Sequence, residues 1–378
     1  MGYPVLRMAL TALAVLLAQR QLAAQARRRD KRLSHSDERV LIIGASSGVG
    51  RAVAKQYAAR GARICVVARR ADEITTLAKE CGDKCIWQVA DFSNVEDLVS
   101  LRNRLEKEWQ GLDTLHICAG VSALQPAMAL TGVKSAEEDA EAVGIQAAVN
   151  IAGRAIKGNF DGPLASALTF IPMLTRTSKS PSILLVSSVA AVIPAPTRAL
   201  YAATKASSLL LFQSLAIEHP KIAFTFILPA TIEGNFRASA VDSGPVREED
   251  PNKHGLKIDY VAERCIDSVD RGVTGNVVLP KMPYAIAQYL YLLWPSFIEG
   301  RAREFFLYTW MSCHGQAHDS MIVMSNIPYR IRFRTWQHES QSFAARHSFT
   351  QVIETRYKLL LHYSYITTLV NPTNIIQQ

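Results

Sequence analysis

Residues 39–60 read RVLIIGASSGVGRAVAKQYAAR, and this stretch decides the fold. Arg39–Ile43 is an aliphatic run that predicts a buried strand, and Arg51–Arg60 predicts a helix. The turn between them contains Gly44, Gly48 and Gly50. Glycines between a strand and a helix allow a tight turn and close approach of a pyrophosphate to the helix N-terminus. The stretch therefore predicts a dinucleotide-binding unit.

Strand and helix patterns alternate through the following 240 residues or so. The further predicted strands are Arg63–Val67, Cys85–Val89, Leu112–Cys118, Ile183–Val186, Ile222–Leu228 and Asn276–Leu279. Strands alternating with helices of this length favour an α/β fold with a doubly wound parallel (Rossmann) sheet, helices on both faces and ligands at the strand C-terminal ends. Either Ser93 or Asn94 would cap the predicted helix Val95–Trp109.

Three segments divide the chain. Residues 34–310 form a single predicted catalytic domain. A hydrophobic and basic leader, residues 1–33, precedes it, and residues 311–378 follow without clear periodicity as a poorly ordered extension.

The end of the second strand indicates which dinucleotide binds. An acidic residue that would bind a ribose 2′-hydroxyl is missing there, and Arg69 and Arg70 stand in its place. Guanidinium groups suit a 2′-phosphate, so NADP(H) is preferred over NAD(H). The alternative is that both arginines form a solvated helix cap.

A candidate acid/base pair follows the strand Ile183–Val186. This strand ends in Ser187 and Ser188, and Tyr201 and Lys205 come later, four residues apart. Four residues are about one helical turn, so the phenol and the ammonium lie on one face. The ammonium would lower the tyrosine pKa and the Ser188 hydroxyl would polarise a carbonyl. Alone, this spacing is also that of an ordinary surface pair.

The distribution of charge argues against a nucleic-acid-binding protein, and the spacing of the cysteines argues against a zinc site. The net charge of +9 comes from the two ends, because residues 41–300 hold 26 basic and 26 acidic side chains. Because residues 41–300 carry no net charge, they offer no basic surface to which nucleic acid would bind. The six cysteines are scattered, which indicates reduced thiols, and Cys81 and Cys85 lack the companions that a zinc site needs, so no metal is expected.

The leader contains the apolar run Met8–Ala18 and then a basic cluster at residues 27–32. A cleaved signal peptide and a mitochondrial presequence are alternatives. A monotopic or signal-anchor helix, with the arginines on the cytosolic side, fits the pattern best.

Taken together, these motifs resemble the short-chain dehydrogenase/reductase family over about residues 38–310. The resemblance implies that the pyrophosphate and the nearby cofactor atoms are held by Gly44, Ser46, Ser47, Gly48, Val49 and Gly50, the 2′-phosphate by Arg69 and Arg70, and the adenine by Asp91. Ala119-Gly120 stands where the family has Asn-Asn-Ala-Gly, with Ile117 and Cys118 replacing both asparagines.

The same resemblance assigns catalytic roles. Tyr201 exchanges the proton, Ser188 orients the substrate oxygen, and Lys205 lowers the tyrosine pKa and bonds the nicotinamide ribose. A family asparagine relays protons from the lysine to solvent; Asn150 and Asn159 both qualify, and the Gly-Pro that follows Asn159 favours the latter. The nicotinamide carboxamide would be held by the segment Pro229 to Ile232, although Ala230 and Gly234 depart from the family pattern.

The substrate side is predicted from two segments. Asn235–Gly255 is polar and indicates a mobile covering segment. Tyr284–Ile298 is uncharged and aromatic, which fits either a core or dimer helix or a membrane-apposed lip. With the leader, it resembles the membrane-bound 11-beta-hydroxysteroid dehydrogenase branch.

These expectations define two functions. The first is an NADP(H)-dependent oxidoreductase that interconverts a hydrophobic ketone, such as a steroid, retinoid or lipid, and its alcohol. It would be associated with the endoplasmic reticulum membrane, with a cytosolic catalytic domain, and would form a homodimer as the family does. The rival is a catalytically silent NADP-binding sensor or scaffold, which predicts loss of a catalytic side chain; Ser188, Tyr201 and Lys205 are all present.

Overall fold

Seven parallel strands form one sheet in the order β3-β2-β1-β4-β5-β6-β7. The computed structural model describes residues 28–29, 31–133, 138–243 and 250–303, together with Thr11. The strands are β1 Arg39–Ile43, β2 Arg63–Ala68, β3 Cys85–Val89, β4 Thr114–Ile117, β5 Ser182–Val186, β6 Ala223–Pro229 and β7 Gly275–Leu279. The order reverses between β1 and β4, so the carboxyl ends of these two strands open a crevice.

Helices connect the strands on both faces. They are α1 Gly48–Ala59, α2 Ala71–Cys81, α3 Val95–Trp109, α4 Ala142–Ile156, α5 Gly162–Thr177, α6 Ala199–Glu218, α7 Pro251–His254, α8 Ile258–Asp270 and α9 Lys281–Leu293. The predicted doubly wound α/β fold is confirmed. The predicted bounds of β1, β3 and α3 match the observed ones, and Asn94 caps α3 by accepting the Asp97 N–H.

Alternate residues of each strand fill two hydrophobic layers. On one face, Leu41 and Leu115 pack with Leu101 of α3, Phe170 of α5 and Phe212 of α6. On the other face, the α1, α2 and α8 side chains pack on strand residues that include Val40, Ile42, Leu184 and Ile227. Because both faces are covered, the central strands β1, β2 and β5 are mostly apolar and buried.

The connection between β4 and β5 is the longest between successive strands of the sheet. The described part of it holds α4, which continues through a π-helical turn, Lys157–Asp161, into α5. Residues 134–137 of this connection lie outside the described residues.

A buried ionic cluster lies at the amino-terminal ends of the strands, opposite the crevice. Arg29 is only 3 % exposed and pairs with Glu38, which is 2 % exposed, at 3.0 Å. Its guanidinium also donates to Thr114 Oγ1 and to the Ser180 carbonyl. Arg60 pairs with Glu38 from the other side and with Asp270 at 2.7 Å. One arginine of the leader's basic cluster is therefore part of the folded core and not of a membrane surface.

Membrane-related expectations fall partly outside the described residues. Within the described part, α6 alone has the length and composition to cross a bilayer, but it packs on the sheet and carries Tyr201 and Lys205. The apolar run Met8–Ala18, apart from Thr11, and residues 304–378 are not described, so the anchor, the extension and the domain boundaries at 33 and 310 stay predictions.

Candidate active site

The glycine turn after β1 leaves no room for a side chain at Gly44 or at Gly50. Gly44 has φ +89°, and a Cβ there would lie 2.4 Å from the Ala119 nitrogen. A Cβ on Gly50 would lie 2.3 Å from the Gly44 oxygen. The turn and the loop after β4 are thus in direct contact, and the backbone is open to a ligand on the cleft side. Such a cradle fits a pyrophosphate.

The start of α1 lies in this cradle. Ser47 is the N-cap residue, yet its side chain makes no capping hydrogen bond. Instead, Arg70 Nη2 donates to Ser46 Oγ and to Ser47 Oγ, both at 2.9 Å. A guanidinium and two hydroxyls therefore converge at the end of β2, where all three side chains line the cleft. This set of donors suits a phosphate group.

Asp91 follows β3 beside this cluster. Its Oδ1 accepts the Ser93 N–H at 3.0 Å and the Ser93 hydroxyl at 2.8 Å. Partial burial raises the pKa of this carboxyl, but the two Ser93 bonds and the nearby charge of Arg69 outweigh it, so the pKa lies below its ordinary value. Asp91 is therefore an ionised acceptor beside the cradle.

Lys205 is buried beneath the cleft. Its ammonium donates to the Val186 carbonyl at 3.1 Å, and its side chain is 5 % exposed. Burial lowers its pKa to about 8, with a small opposing contribution from Cys118. Tyr201, one turn earlier on α6, is 8 % exposed and lines the cleft. The face of α6 that carries Tyr201 and Lys205 therefore points into the cleft and not to bulk solvent.

Asn159 reaches the same place from the π-helical turn. Its side chain bonds the Val121 N–H and carbonyl, each at 2.9 Å, and donates to Thr204 Oγ1 at 3.0 Å. A Cβ on Gly120 would lie 2.9 Å from Asn159 Oδ1 and 3.0 Å from Lys205 Nζ. The amide and the ammonium therefore flank Gly120 together.

The structure separates the two candidate asparagines. Asn150 is exposed on α4 and accepts a hydrogen bond from Gln146, away from Lys205. Thr204, which Asn159 contacts, was not predicted; its place beside Lys205 on α6 was the available signal.

Ser188 stands at the end of β5 as the cap of a short turn. Its Oγ accepts the Ala190 N–H at 3.1 Å and lines the cleft. The neighbouring Ser187 Oγ is buried and makes no hydrogen bond within the described residues. Of the two serines, Ser188 therefore has the accessible hydroxyl.

The remaining predicted residues also line the cleft. Pro229 ends β6, Ala230 N–H bonds the Leu279 carbonyl at 2.7 Å, and Ile232 pairs with Leu256. Cys118, at a position where the family has asparagine, borders the cleft, and burial raises the pKa of its thiol to about 12. Ile117 is fully buried and packs in the hydrophobic layer on one face of the sheet.

The cleft as a whole has a volume of about 1770 Å³ and runs from the glycine turn to α9. Its lining includes Val49, Arg69 and Ala119 at one end, and Phe236, Tyr284 and Ala287 at the other. All the predicted site residues except Asn159 border it directly, and Asn159 lies just behind Gly120. Among the described residues, no group of three or more His, Cys, Asp or Glu side chains is placed to bind a metal.

The state of Lys205 leads to a stability prediction. Because its pKa is about 8 in the fold against an ordinary 10.5, the unfolded chain binds the extra proton between these values, and stability rises with pH across that window. Lys205→Met removes the buried charge, so we expect roughly 3 kcal/mol more stability at pH 7 and loss of the slope. Denaturant unfolding of both proteins without cofactor from pH 7 to 10.5 measures this; equal slopes would contradict the buried ammonium.

Comparison with known proteins identifies the family to which the chain belongs. The "short chain dehydrogenase" family matches residues 38–243. The chain is 31 % identical over 199 residues to "11-beta-hydroxysteroid dehydrogenase-like 4A" of Arabidopsis thaliana, covering 51 % of this chain and 60 % of that protein. It is 27 % identical over 244 residues to "11-beta-hydroxysteroid dehydrogenase A" of Sesamum indicum, covering 63 % of this chain and 65 % of that protein. The matches thus span less than two thirds of these relatives' length.

A solved structure is similar in fold. It is an alcohol dehydrogenase from the archaeon Thermococcus sibiricus complexed with 5-hydroxy-NADP, with a TM-score of 0.52 and 23 % identity, covering 64 % of this chain and 95 % of that one. The family match covers more than half of the chain, and the sheet order and glycine turn agree with it. The chain therefore belongs to the short-chain dehydrogenase family, oxidoreductases that bind a nicotinamide dinucleotide, and resembles its 11-beta-hydroxysteroid dehydrogenase-like members.

Proposed function

We propose that this protein is an NADP(H)-dependent oxidoreductase that interconverts a hydrophobic ketone and its secondary alcohol. The observation that supports this most is the meeting of Tyr201, Lys205 and Ser188 in the same cleft as the glycine turn. A buried ammonium beside a phenol is the arrangement that acid/base catalysis by tyrosine needs. A silent sensor or scaffold would not require all of these side chains.

We propose that the residues lining the cleft hold the dinucleotide. The glycine turn would hold the pyrophosphate, Asp91 the adenine, and the segment Pro229 to Ile232 the carboxamide. When bound, the nicotinamide supplies or accepts the hydride. Tyr201 then gives a proton to the substrate oxygen in reduction and takes it in oxidation. Ser188 donates to the same oxygen.

Lys205 and Asn159 would support the proton transfer from below. Lys205 can share a proton with the phenol because its own pKa is about 8, close to neutrality. Asn159 lies next to it at Gly120 and links α6 to the loop after β4 through Val121 and Thr204. This placement supports the proposed role of Asn159 in proton relay.

NADP(H) is proposed over NAD(H) because of the guanidinium at the end of β2. Arg70 already brings Ser46 and Ser47 together, and Arg69 lies beside Asp91. A 2′-phosphate at this point would replace the two hydroxyls as the partner of Arg70 or share the guanidinium with them.

The cofactor choice gives a second prediction. In Arg69→Ala/Arg70→Ala we expect the preference for NADPH over NADH to fall by roughly 10- to 100-fold, the loss of one or two charge-assisted hydrogen bonds. Titration of each cofactor by quenching of protein fluorescence measures it. The control is Arg102→Ala, because that arginine is partly exposed on α3 and its guanidinium bonds only its neighbour Asn103 among the described contacts. An unchanged preference in the double variant would refute the 2′-phosphate site.

The hydrophobic substrate is proposed from α9. Pro283, Tyr284 and Ala287 line the cleft, so the substrate end has an apolar wall. The outer side of the same helix exposes large apolar side chains, namely Ile286, Tyr289, Leu292 and Leu293, and Trp294 follows. A lip that is apolar on both sides supports entry of the substrate from a membrane surface, which we propose to be that of the endoplasmic reticulum with the catalytic domain cytosolic.

A third prediction tests this lip. In Leu292→Glu/Leu293→Glu we expect the binding of the full chain to neutral liposomes to weaken at least about tenfold, because two exposed leucines no longer enter the lipid. Flotation of protein with liposomes measures the bound fraction. Val143→Glu/Val149→Glu on α4 is the matched control, since both valines are more than half exposed. Equal flotation of both double variants would count against the lip.

A homodimer is also proposed, through α5 and α6. Leu168, Leu210 and Ile217 are between 61 % and 82 % exposed on these helices, which is unusual for aliphatic side chains on a catalytic helix pair. Sedimentation of the full chain and of Leu210→Glu/Ile217→Glu tests this assembly; equal molar masses would argue against it.

A further inference from the structure

Arg198 is the residue that the proposed chemistry leaves unused. It lies three positions before Tyr201, at the start of α6, and borders the cleft. Its guanidinium carbon is 5.1 Å from the centre of the Tyr201 ring. A guanidinium within about 6 Å of an aromatic face is attracted to the ring, and the attraction grows when the phenol carries negative charge.

Arg198 also contacts the loop after β4. Its Nη1 donates to Ser122 Oγ at 2.9 Å and to the Ala123 carbonyl at 3.4 Å. Arg198 therefore links the Tyr201 ring to residues 121–125, which we call the β4 loop.

The β4 loop is in turn bound to the segment that covers the cleft. Val241 N–H bonds the Ser122 carbonyl at 2.9 Å, and Ser122 pairs with Ala240. The Asp242 carboxylate, 7 % exposed, accepts the N–H groups of Leu124 and Gln125, each at 2.8 Å. The described part of the covering segment, residues 235–243, thus reaches Arg198 through the β4 loop.

Two further observations indicate that the placement of Arg198 is specific. Thr197, directly before it, has φ +63°, a left-handed conformation that is costly for a β-branched residue. Phe236 of the covering segment meets the Tyr201 ring edge-on, with centroids 6.1 Å apart. The ring is therefore held between Arg198 and the covering segment.

We infer that Arg198 is a positioning residue that holds the Tyr201 ring, favours its phenolate and couples it to the covering segment 235–243. The inference rests on the proposed function, in which Tyr201 exchanges the proton. It predicts that the phenol ionises at lower pH with Arg198 in place than without it.

Other charged or titratable groups line the same cleft and also influence the pH at which the phenol ionises. Lys205 lies one turn away on α6, and Cys118 follows β4. Arg154 on α4 and Glu233 and Arg237 after β6 line the same cleft. Arg154 donates to the Val241 carbonyl at 2.9 Å, so it too contacts the covering segment, but no contact of its guanidinium with the Tyr201 ring is described. Arg154 is therefore the matched control for Arg198.

The test is an ultraviolet difference titration of the tyrosinate, which needs no substrate. The spectrum of each full-length protein minus that of its Tyr201→Phe counterpart isolates Tyr201. We expect the midpoint to rise by about half a pH unit in Arg198→Met, to recover partly in Arg198→Lys, and to stay unchanged in Arg154→Met. If Arg198→Met does not fold, Ser122→Ala keeps the arginine but removes its anchor and is expected to give a smaller rise.

Each outcome decides the inference. A rise specific to Arg198→Met supports it. No rise, or an equal rise in Arg154→Met, overturns it, since the effect would then be absent or due to general charge. Hydride transfer is measured on the same variants to separate the two proposals. If Tyr201→Phe keeps full activity, the proposed function fails; if Tyr201→Phe is inactive and Arg198→Met titrates like the unmodified chain, only the role of Arg198 fails.

Discussion

Replacing Tyr201 with phenylalanine is expected to lower kcat for ketone reduction roughly a thousandfold and to leave the KM for NADPH within about twofold. The substitution removes one hydroxyl from a ring that is 8 % exposed, so the packing against Phe236 is retained. The loss falls on kcat because the proton donor acts only in the chemical step. Steady-state assays that follow NADPH absorbance with a panel of lipophilic ketones measure it.

The matched control is Tyr260→Phe. Tyr260 is 41 % exposed on α8, and the same hydroxyl removed there should change kcat by less than about twofold. Activity that survives Tyr201→Phe unchanged would eliminate this residue as the proton donor, whatever the control shows.

Arg29→Met is expected to destabilise the full chain by about 3 kcal/mol. The substitution removes one of two guanidinium partners of Glu38, a carboxylate that is 2 % exposed, and leaves Thr114 Oγ1 and the Ser180 carbonyl without this donor. A buried carboxylate that loses a partner cannot be compensated by water at this edge of the sheet. Equilibrium unfolding in urea measures the change in the free energy of unfolding.

Lys31→Met controls for the loss of a positive charge nearby, since Lys31 is exposed. It should change stability by less than about 0.5 kcal/mol. Equal stability of Arg29→Met and the unmodified chain would show that the folded unit begins after the leader's basic cluster, as the sequence-based boundary at residue 33 assumed.

The fold could be predicted from the sequence because its signals are local. The strand patterns of β1 and β3 and the glycine turn each act within a few residues and were placed correctly, and the cap of α3 was narrowed to Ser93 or Asn94, of which Asn94 is the one observed. The buried position of Arg29 could not be predicted, because it depends on Glu38, Thr114 and the Ser180 carbonyl, which only the folded sheet brings together.

In the site, too, local motifs were predicted and long-range contacts were missed. The spacing of Tyr201 and Lys205 on one helix predicted their common face, and the glycine pattern predicted the cradle. The contacts of Arg198 with the β4 loop, of Phe236 and of Asp242 were missed, since they join residues between 35 and 117 positions apart and no motif marks them. Long-range hydrogen bonds to backbone groups leave no periodic pattern in a sequence.

The proposed hydride transfer between a nicotinamide and a carbonyl carbon is measured most directly by following deuterium from the cofactor into the product. The full chain is incubated with NADPH deuterated at C4, in both stereoisomers separately, and a lipophilic ketone, and the alcohol product is analysed by mass spectrometry. We predict one deuterium on the carbinol carbon from one stereoisomer only, and roughly a thousandfold less labelled alcohol in the same time with Tyr201→Phe. Alcohol without deuterium from either stereoisomer, or no alcohol although NADPH binds, would contradict the account.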